Sequence, residues 1–488
     1  MSQPTRQLFG TDGIRGIAGQ FPLTLDTIYA IGRALGHDLL RAASTARAVI
    51  GQDTRESSGW IADRLSAGLR AVGVEVHSAG VITTPGVAYL ARSRGYSAGV
   101  VISASHNPWP DNGIKIFSGD GFKLPDAHEL EIEKEIFALI ADPLPQTASP
   151  GENSSLPGEP ALRDDYIQWL AGSAVFSSLH QDWSGSPPLQ PLRSSDSMDR
   201  AFASEADRLR SLRVLVDCAN GAAAAEAPEL FRRLNIHAHF LNVSPNGRNI
   251  NQACGALHPD TVARAVADAP GKYDLGVTFD GDADRALFCD ASGHVVNGDG
   301  ILLLAARDFQ MREKLTGSMI VATTMSNMGL EVALNKSGIQ MARANVGDKY
   351  VLEEMLRTGA ALGGEQSGHI LFRDGDATTG DGLMTALRVM EVMARTNTPL
   401  AGLIADLKVF PQKIQNVPVR EKIPFANVPA VQQAIEAAER DLNGNGRVVV
   451  RYSGTEALAR VMVEAESVEK MKALTAGIAE AIQQELGL

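Results

Sequence analysis

The sequence predicts a multidomain α/β protein, and three observations point there. A strand, turn, helix, strand unit recurs three times; the last ~80 residues change to a strand, turn, strand, helix pattern; and 488 residues exceed what one hydrophobic core usually organises. The expected architecture is three related mixed α/β domains followed by a smaller α+β domain.

In the first copy, Val49 and Ile50 lead into Gly51-Gln52-Asp53-Thr54, a helix from about Ser58 to Ala71, and a strand Val72 to Val76. The second runs Val214-Leu215-Val216, Asp217-Cys218-Ala219-Asn220-Gly221, a helix to Leu234, then Asn235-Ile236. The third runs Met319-Ile320-Val321, Ser326-Asn327-Met328-Gly329, a helix, then Gly338-Ile339. Gly73, Asn235 and Gly338 stand where each helix must end in the left-handed conformation. Near the end, Val448 to Arg451 and Ala459 to Glu464 read as strands and Val468 to Leu486 as a helix. Domains are expected at 1–145, 160–270, 271–400 and 407–488. The Pro/Ser/Gly-rich residues 143–160 read as a linker, and 174–210 as an exposed, partly disordered insertion.

Composition narrows the function classes. The chain is 44% apolar and 21% charged with 47 glycines, the balance of a folded chain rich in tight turns. No run approaches the ~18 apolar residues of a membrane span, and Met1 to Gly19 lacks signal-peptide order, so a cytoplasmic protein without a membrane partner is expected. A net charge of −12 argues against nucleic acid, and any phosphate site must be built locally. Cys218, Cys254 and Cys289 have no metal or disulfide spacing and are expected to be reduced packing residues.

Four segments carry chemistry. Val100 to Ile102 delivers Ser103-Ala104-Ser105-His106-Asn107-Pro108 to a strand's C-terminal end, where open α/β sheets place ligands, although alone the segment also reads as a turn. Asp111-Asn112-Gly113-Ile114-Lys115 follows with a lysine suited to phosphate or to proton transfer. In Thr278-Phe279-Asp280-Gly281-Asp282-Ala283-Asp284-Arg285, three aspartates at i, i+2 and i+4 point one way if the chain is extended, and so call for a cation. An EF-hand needs Gly at position six and Glu at twelve, where Arg285 and Ala291 stand. Gly363-Gly364-Glu365-Gln366-Ser367-Gly368-His369 suits sugar hydroxyls, and Arg451-Tyr452-Ser453-Gly454-Thr455-Glu456 can nest an anion; each reads equally as a plain turn.

Together with Phe9-Gly10-Thr11-Asp12-Gly13-Ile14-Arg15-Gly16, these segments resemble the α-D-phosphohexomutases over almost the whole chain. The resemblance implies four domains around a central cleft. It makes Ser105 a phosphoserine, gives one Mg²⁺ per subunit to Ser105, Asp280, Asp282 and Asp284, and surrounds the transferring group with Arg15, His106, Lys115 and Arg285, Lys115 being the candidate base. By the same resemblance Glu365, Ser367, His369 and Asp348 contact the sugar, while Arg451, Ser453, Gly454 and Thr455 hold the phosphate that stays put. The opening segment, Asp111 to Lys115, Gly363 to His369, and Val346-Gly347-Asp348-Lys349-Tyr350 are most similar to the branch acting on glucosamine phosphates. That implies interconversion of glucosamine 6-phosphate and glucosamine 1-phosphate through a sugar bisphosphate, on the way to UDP-N-acetylglucosamine. The alternatives are the same reaction on glucose or mannose phosphates, or a sugar phosphatase. A homodimer is left open. Ala283 replaces a usual glycine, Tyr452 and Ala457 replace usual prolines, and the 174–210 insertion is longer than usual; these put loop geometry in question and leave the chemistry in place.

Overall fold

The computed structural model describes residues 7–10, 12–141, 156–173, 204–373, 378–453 and 457–487. It divides into two compact units, 1–324 with 342–405, and 325–341 with 406–488.

The first unit holds three sheets. One has six strands in the order Phe9–Gly10, Gly13–Ile17, Asp111–Ser118, Ala98–Ile102, Arg47–Gln52, Glu75–Val81. The next has five, in the order Val295–Val296, Ala286–Asp290, Leu275–Phe279, Arg213–Asp217, His237–Leu241. The last has four, in the order Gln340–Ala344, Met319–Thr323, Leu362–Gly364, Ile370–Phe372. Beneath the added edge strands the three share one topology. The repeat's first strand lies between its second and third, and the fourth pairs with the third. First and third strands are parallel, and third and fourth antiparallel, in all three copies. The threefold repeat is therefore a repeat of topology as well as of pattern.

The predicted helix Ser58–Ala71 forms over that span, and Gly73, Asn235 and Gly338 all take positive φ after their helices. The second strands of all three copies start later than expected, at Glu75, His237 and Gln340, because the chain needs the left-handed residue and the one after it to turn back. Leu275–Phe279, expected to open a third domain, hydrogen-bonds instead to Arg213–Asp217. Its five residues are all buried, as a central strand requires. Part of the expected insertion is also regular structure: Ser204 and Asp207 form a capping box on the helix Glu205–Ser211, Leu209 is buried, and Arg208 Nε donates to the Ala394 carbonyl. The remainder, 174–203, and residues 143–155 of the expected linker lie outside the described residues.

The second unit contains an antiparallel sheet in the order Gln412–Pro418, Leu458–Ala465, Gly446–Tyr452. The helices Pro429–Leu442 and Val468–Leu486 cover it through Val431, Leu442, Ile478 and Ile482, meeting Val461 and Val463. The helix Met328–Lys336 of the third copy belongs here as well, with Asn327 bonded to both backbone groups of Phe410. Among the described residues no helix is long and apolar enough to cross a membrane. The three cysteines are buried and unbridged.

Candidate active site

The repeat explains how the chemistry-bearing loops come together. Ser105, the Asp280 to Asp284 segment and the Glu365 to His369 segment each connect the third and fourth strands of a repeat, at the carboxyl end of the third. Equivalent loops from three copies thus form one site in the first unit.

Ser105 is buried and sits at φ +53°, a left-handed conformation costing a residue with a Cβ about 1–2 kcal/mol. Its N–H donates to Ser103 Oγ (2.9 Å), which itself donates to Asp53 Oδ2 (2.7 Å). Held this way, Ser105 Oγ donates to Asp280 Oδ2 at 2.6 Å and lies 3.3 Å from His106 Nδ1. Gly281 allows the approach, since a Cβ there would stand 2.5 Å from the Ser105 carbonyl oxygen.

Asp280, Asp282 and Asp284 are buried, with ligand oxygens within 4.8 Å of one another. They converge, but not along an extended strand: Ala283 turns the backbone at φ +54°, so a tight turn aims the three carboxylates. Burial, and then the charges of Asp284 and Asp282, push the Asp280 carboxyl well above its usual range. Asp282 Oδ1 is buried with no hydrogen-bond partner. Asp284 Oδ1 is likewise buried with no hydrogen-bond partner, and hard oxygens of this kind, two of them unspent, fit a divalent cation such as Mg²⁺.

Lys115 enters from Asp111–Ser118 and places Nζ 2.8 Å from Asp282 Oδ2, 3.4 Å from Asp284 Oδ2 and 3.0 Å from Asp12 Oδ2. Burial alone would lower its pKa, but Asp12, Asp282 and Asp284 outweigh that and hold it well above the ordinary lysine value. Arg15 pairs with Asp12 and donates to Asn107 Oδ1. Arg285 lies 3.8 Å from Asp284, and the buried Nε of both arginines lacks an acceptor. His106 is driven down to about 4 by burial and then by Arg285 and Arg15, so its imidazole is neutral near pH 7.

Glu365 Oε1 accepts from Gly347 N (2.9 Å) and Oε2 from Ser367 Oγ (3.2 Å). His369 Nε2 accepts from Gly380 N, which leaves the imidazole proton on Nδ1, 3.7 Å from Asp284 Oδ1. Asp348 joins the same network through Lys123, which also binds Asp12. The sequence reading did not single out Asp12, Lys123 or Thr84 for a role. Thr84 donates through Oγ1 to Asp282 Oδ2 (2.5 Å) and through N–H to the Asp282 carbonyl (3.0 Å). Asp12 lay inside a quoted motif; Thr84 and Lys123 had only the signal of polar residues beside turns.

In the second unit Arg451 is exposed on the edge strand Gly446–Tyr452, directly opposite Arg460. Like charges across a strand pair repel unless an anion joins them. Ser453 is buried, its carbonyl accepting from Lys422 Nζ (2.7 Å). Gly454 and Thr455 lie outside the described residues.

Comparison with known proteins agrees over the whole chain. Phosphoglucomutase/phosphomannomutase alpha/beta/alpha domains I, II and III match residues 6–141, 194–293 and 297–410, and the C-terminal domain of that family matches 415–481. A phosphoglucosamine mutase of Koribacter versatilis is 56% identical, covering 100% of this chain and 99% of its own. One from Solibacter usitatus is 48% identical, covering 99% of each. A solved phosphoglucomutase/phosphomannomutase family protein of Burkholderia thailandensis shares the fold at TM-score 0.73 and 24% identity, over 99% of each chain. The N-acetylphosphoglucosamine mutase of Aspergillus fumigatus, solved with GlcNAc-6P and magnesium, does so at TM-score 0.58 and 21% identity, over 99% of this chain and 96% of that one. The chain belongs to the phosphoglucosamine mutases, within the phosphoglucomutase/phosphomannomutase family.

Proposed function

We propose that the protein interconverts glucosamine 6-phosphate and glucosamine 1-phosphate, with Ser105 carrying the phosphoryl group that is exchanged. The observation behind this reading is Ser105 Oγ at 2.6 Å from Asp280, inside a buried aspartate cluster, in a chain 56% identical to a phosphoglucosamine mutase. Asp280, Asp282, Asp284 and the Ser105 phosphate would hold Mg²⁺, which when bound neutralises phosphate oxygens during transfer.

A sugar hydroxyl attacks phosphorus, the bond to Ser105 Oγ breaks, and a sugar bisphosphate forms. Its other phosphate then returns to Ser105. Arg15 and Arg285 bring fixed positive charge with unspent buried donors. Lys115 begins as an ammonium that screens the group; it can take the hydroxyl's proton only after giving up one of its own to solvent, which requires the charges of Asp12, Asp282 and Asp284 to be otherwise neutralised. His106, being neutral, acts through its hydrogen bond to Ser105 Oγ. Glu365 and Ser367 retain lone pairs for sugar hydroxyls, with His369 and Asp348 setting the charge around them. Arg451, Ser453, Gly454 and Thr455 clamp the non-reacting phosphate. We assign the division between second and third domains to about residue 297, after the strand Val295–Val296 and before the helix Gly298–Met311.

The test is an assay of Mg²⁺-loaded, phosphorylated enzyme on glucosamine, glucose and mannose 6-phosphates side by side. Preference for glucosamine 6-phosphate with isomerised product supports the reading. Release of free phosphate without isomerisation would make the protein a phosphatase.

A further inference from the structure

Arg55 follows the strand Arg47–Gln52 and is wholly buried, its side chain 0% exposed. A guanidinium has five N–H donors, and every one here has an acceptor. Nε donates to Asp53 Oδ2 (2.8 Å). One terminal nitrogen donates to the carbonyls of Pro108 and Asp111, and the other to those of Ser105 (3.0 Å) and Asn107 (2.8 Å). Four of the five bonds therefore end on backbone oxygens of one short stretch, Ser105 to Asp111, which presents Ser105 and opens the strand Asp111–Ser118.

Asn251, from the chain after His237–Leu241, donates to two of the same oxygens: Ser105 O at 2.9 Å and Asn107 O at 3.1 Å. The Ser105 carbonyl thus has both lone pairs engaged, which fixes the peptide plane following the residue. The Ser103 to Asp53 chain fixes the preceding side through the Ser105 N–H. With both flanking peptides held, Ser105 keeps a left-handed conformation that it would not adopt unaided, and in that conformation Oγ reaches Asp280. Asp53 neutralises the buried guanidinium and also accepts from the Arg55 N–H and Ser58 Oγ, so the cradle is itself rigid.

We propose that Arg55 is a positioning residue for phosphoryl transfer, holding the Ser105 loop in its reactive shape without touching substrate, with Asn251 as its counterpart. This rests on the reading of Ser105 as the phosphoryl carrier. The planar fork matters, so lysine should not replace it.

The experiment compares wild type and Arg55→Lys in full-length, Mg²⁺-loaded enzyme. It measures kcat and KM for glucosamine 6-phosphate, the rate of Ser105 phosphorylation from glucose 1,6-bisphosphate by intact mass, and the melting temperature. A folded Arg55→Lys enzyme should lose about tenfold to a hundredfold in kcat, with KM held within about twofold. Ser105 phosphorylation should slow by the same factor. If that variant does not fold, Asn251→Ala decides, with a smaller fall showing the same split. Millimolar guanidinium should restore turnover to Arg55→Ala where sodium chloride at equal ionic strength does not. Unchanged kcat in folded Arg55→Lys, or losses that only track the folded fraction, would overturn the positioning role while wild-type mutase activity left the functional reading intact. A wild-type enzyme inactive on all three sugar phosphates would overturn both.

Discussion

Around Ser105, the serine, Lys115 and Thr84 are buried and each is tied to a neighbour from another loop: Oγ to Asp280, Lys115 to Asp12 and Asp282, Thr84 to Asp282. Around Arg451 the guanidinium is exposed at the end of an edge strand, facing a second arginine. The first arrangement suits a bond that must break at one fixed place, where a small displacement is expensive. The second suits a charge that must accept and release a whole phosphate. If this contrast is functional, damage at the two places should differ in kind as well as in size.

The largest effect is expected from the buried side. Asp282→Asn removes half of a buried charge pair and the charge of one of three carboxylate ligands, so the Mg²⁺ concentration for half-maximal activity should rise more than about tenfold. Titration of activity with Mg²⁺, alongside calorimetric Mg²⁺ binding, checks this; an unchanged requirement would mean that the aspartates form only an acidic turn.

On the exposed side, Arg451→Ala loses a charge-assisted contact worth roughly 1.5 to 3 kcal/mol, so kcat/KM should fall about tenfold to a hundredfold in both directions. Ser105 phosphorylation and Mg²⁺ binding should survive, and Arg451→Lys should recover part of the loss. Normal kinetics in a folded variant would remove the clamp.

A third way to sharpen the comparison is pH. Glu226, on the helix Ala223–Arg233, is fully buried with Oε2 unpartnered, and burial raises its pKa to about 8. A carboxyl raised on folding favours the protonated native state. Stability should therefore decline as pH rises from about 4.5 to about 8, by up to about 1.4 kcal/mol per pH unit, and then level off. Glu226→Gln should flatten that decline. Melting curves of both proteins at pH 5 and pH 8.5 show it, with the variant gaining relative stability at the higher pH.

The smallest effect concerns Ala283. Its φ of +54° is a conformation glycine takes without a Cβ clash. Ala283→Gly should keep Mg²⁺ affinity and raise stability by up to about 1 kcal/mol, the lost strain partly offset by the freer unfolded chain. A lower melting temperature would show that the Ala283 methyl packs better than its backbone is strained.

What could be read from the sequence depended on the range of the interaction. Helix Ser58–Ala71, the left-handed stops at Gly73, Asn235 and Gly338, and the two C-terminal strands with helix Val468–Leu486 are local, and local patterns revealed them. The aspartates were legible as a cluster, but the reason given was an extended chain, whereas a left-handed turn at Ala283 aims them. Asp12, Lys123 and Thr84 were not singled out because sheet registers and loop contacts bring them in. Arg15 pairs with Gly113 and Ile14 with Ile114, which carries Asp12 to Lys115 across about a hundred residues of chain. The strand Leu275–Phe279 was expected within 271–400 rather than beside Arg213–Asp217 for the same reason: its apolar run says that it is buried, not which strand lies beside it.

The central claim is that Ser105 carries the group that moves. Enzyme phosphorylated from glucose 1,6-bisphosphate, freed of excess donor and mixed with glucosamine 6-phosphate in a single turnover, tests it by intact mass and peptide mapping. One phosphate should map to Ser105 and leave as the sugar bisphosphate appears, at a rate no slower than kcat, and Ser105→Ala should neither take up phosphate nor turn over. Phosphate mapped to Ser103, or full turnover by the Ser105→Ala enzyme, would contradict the account.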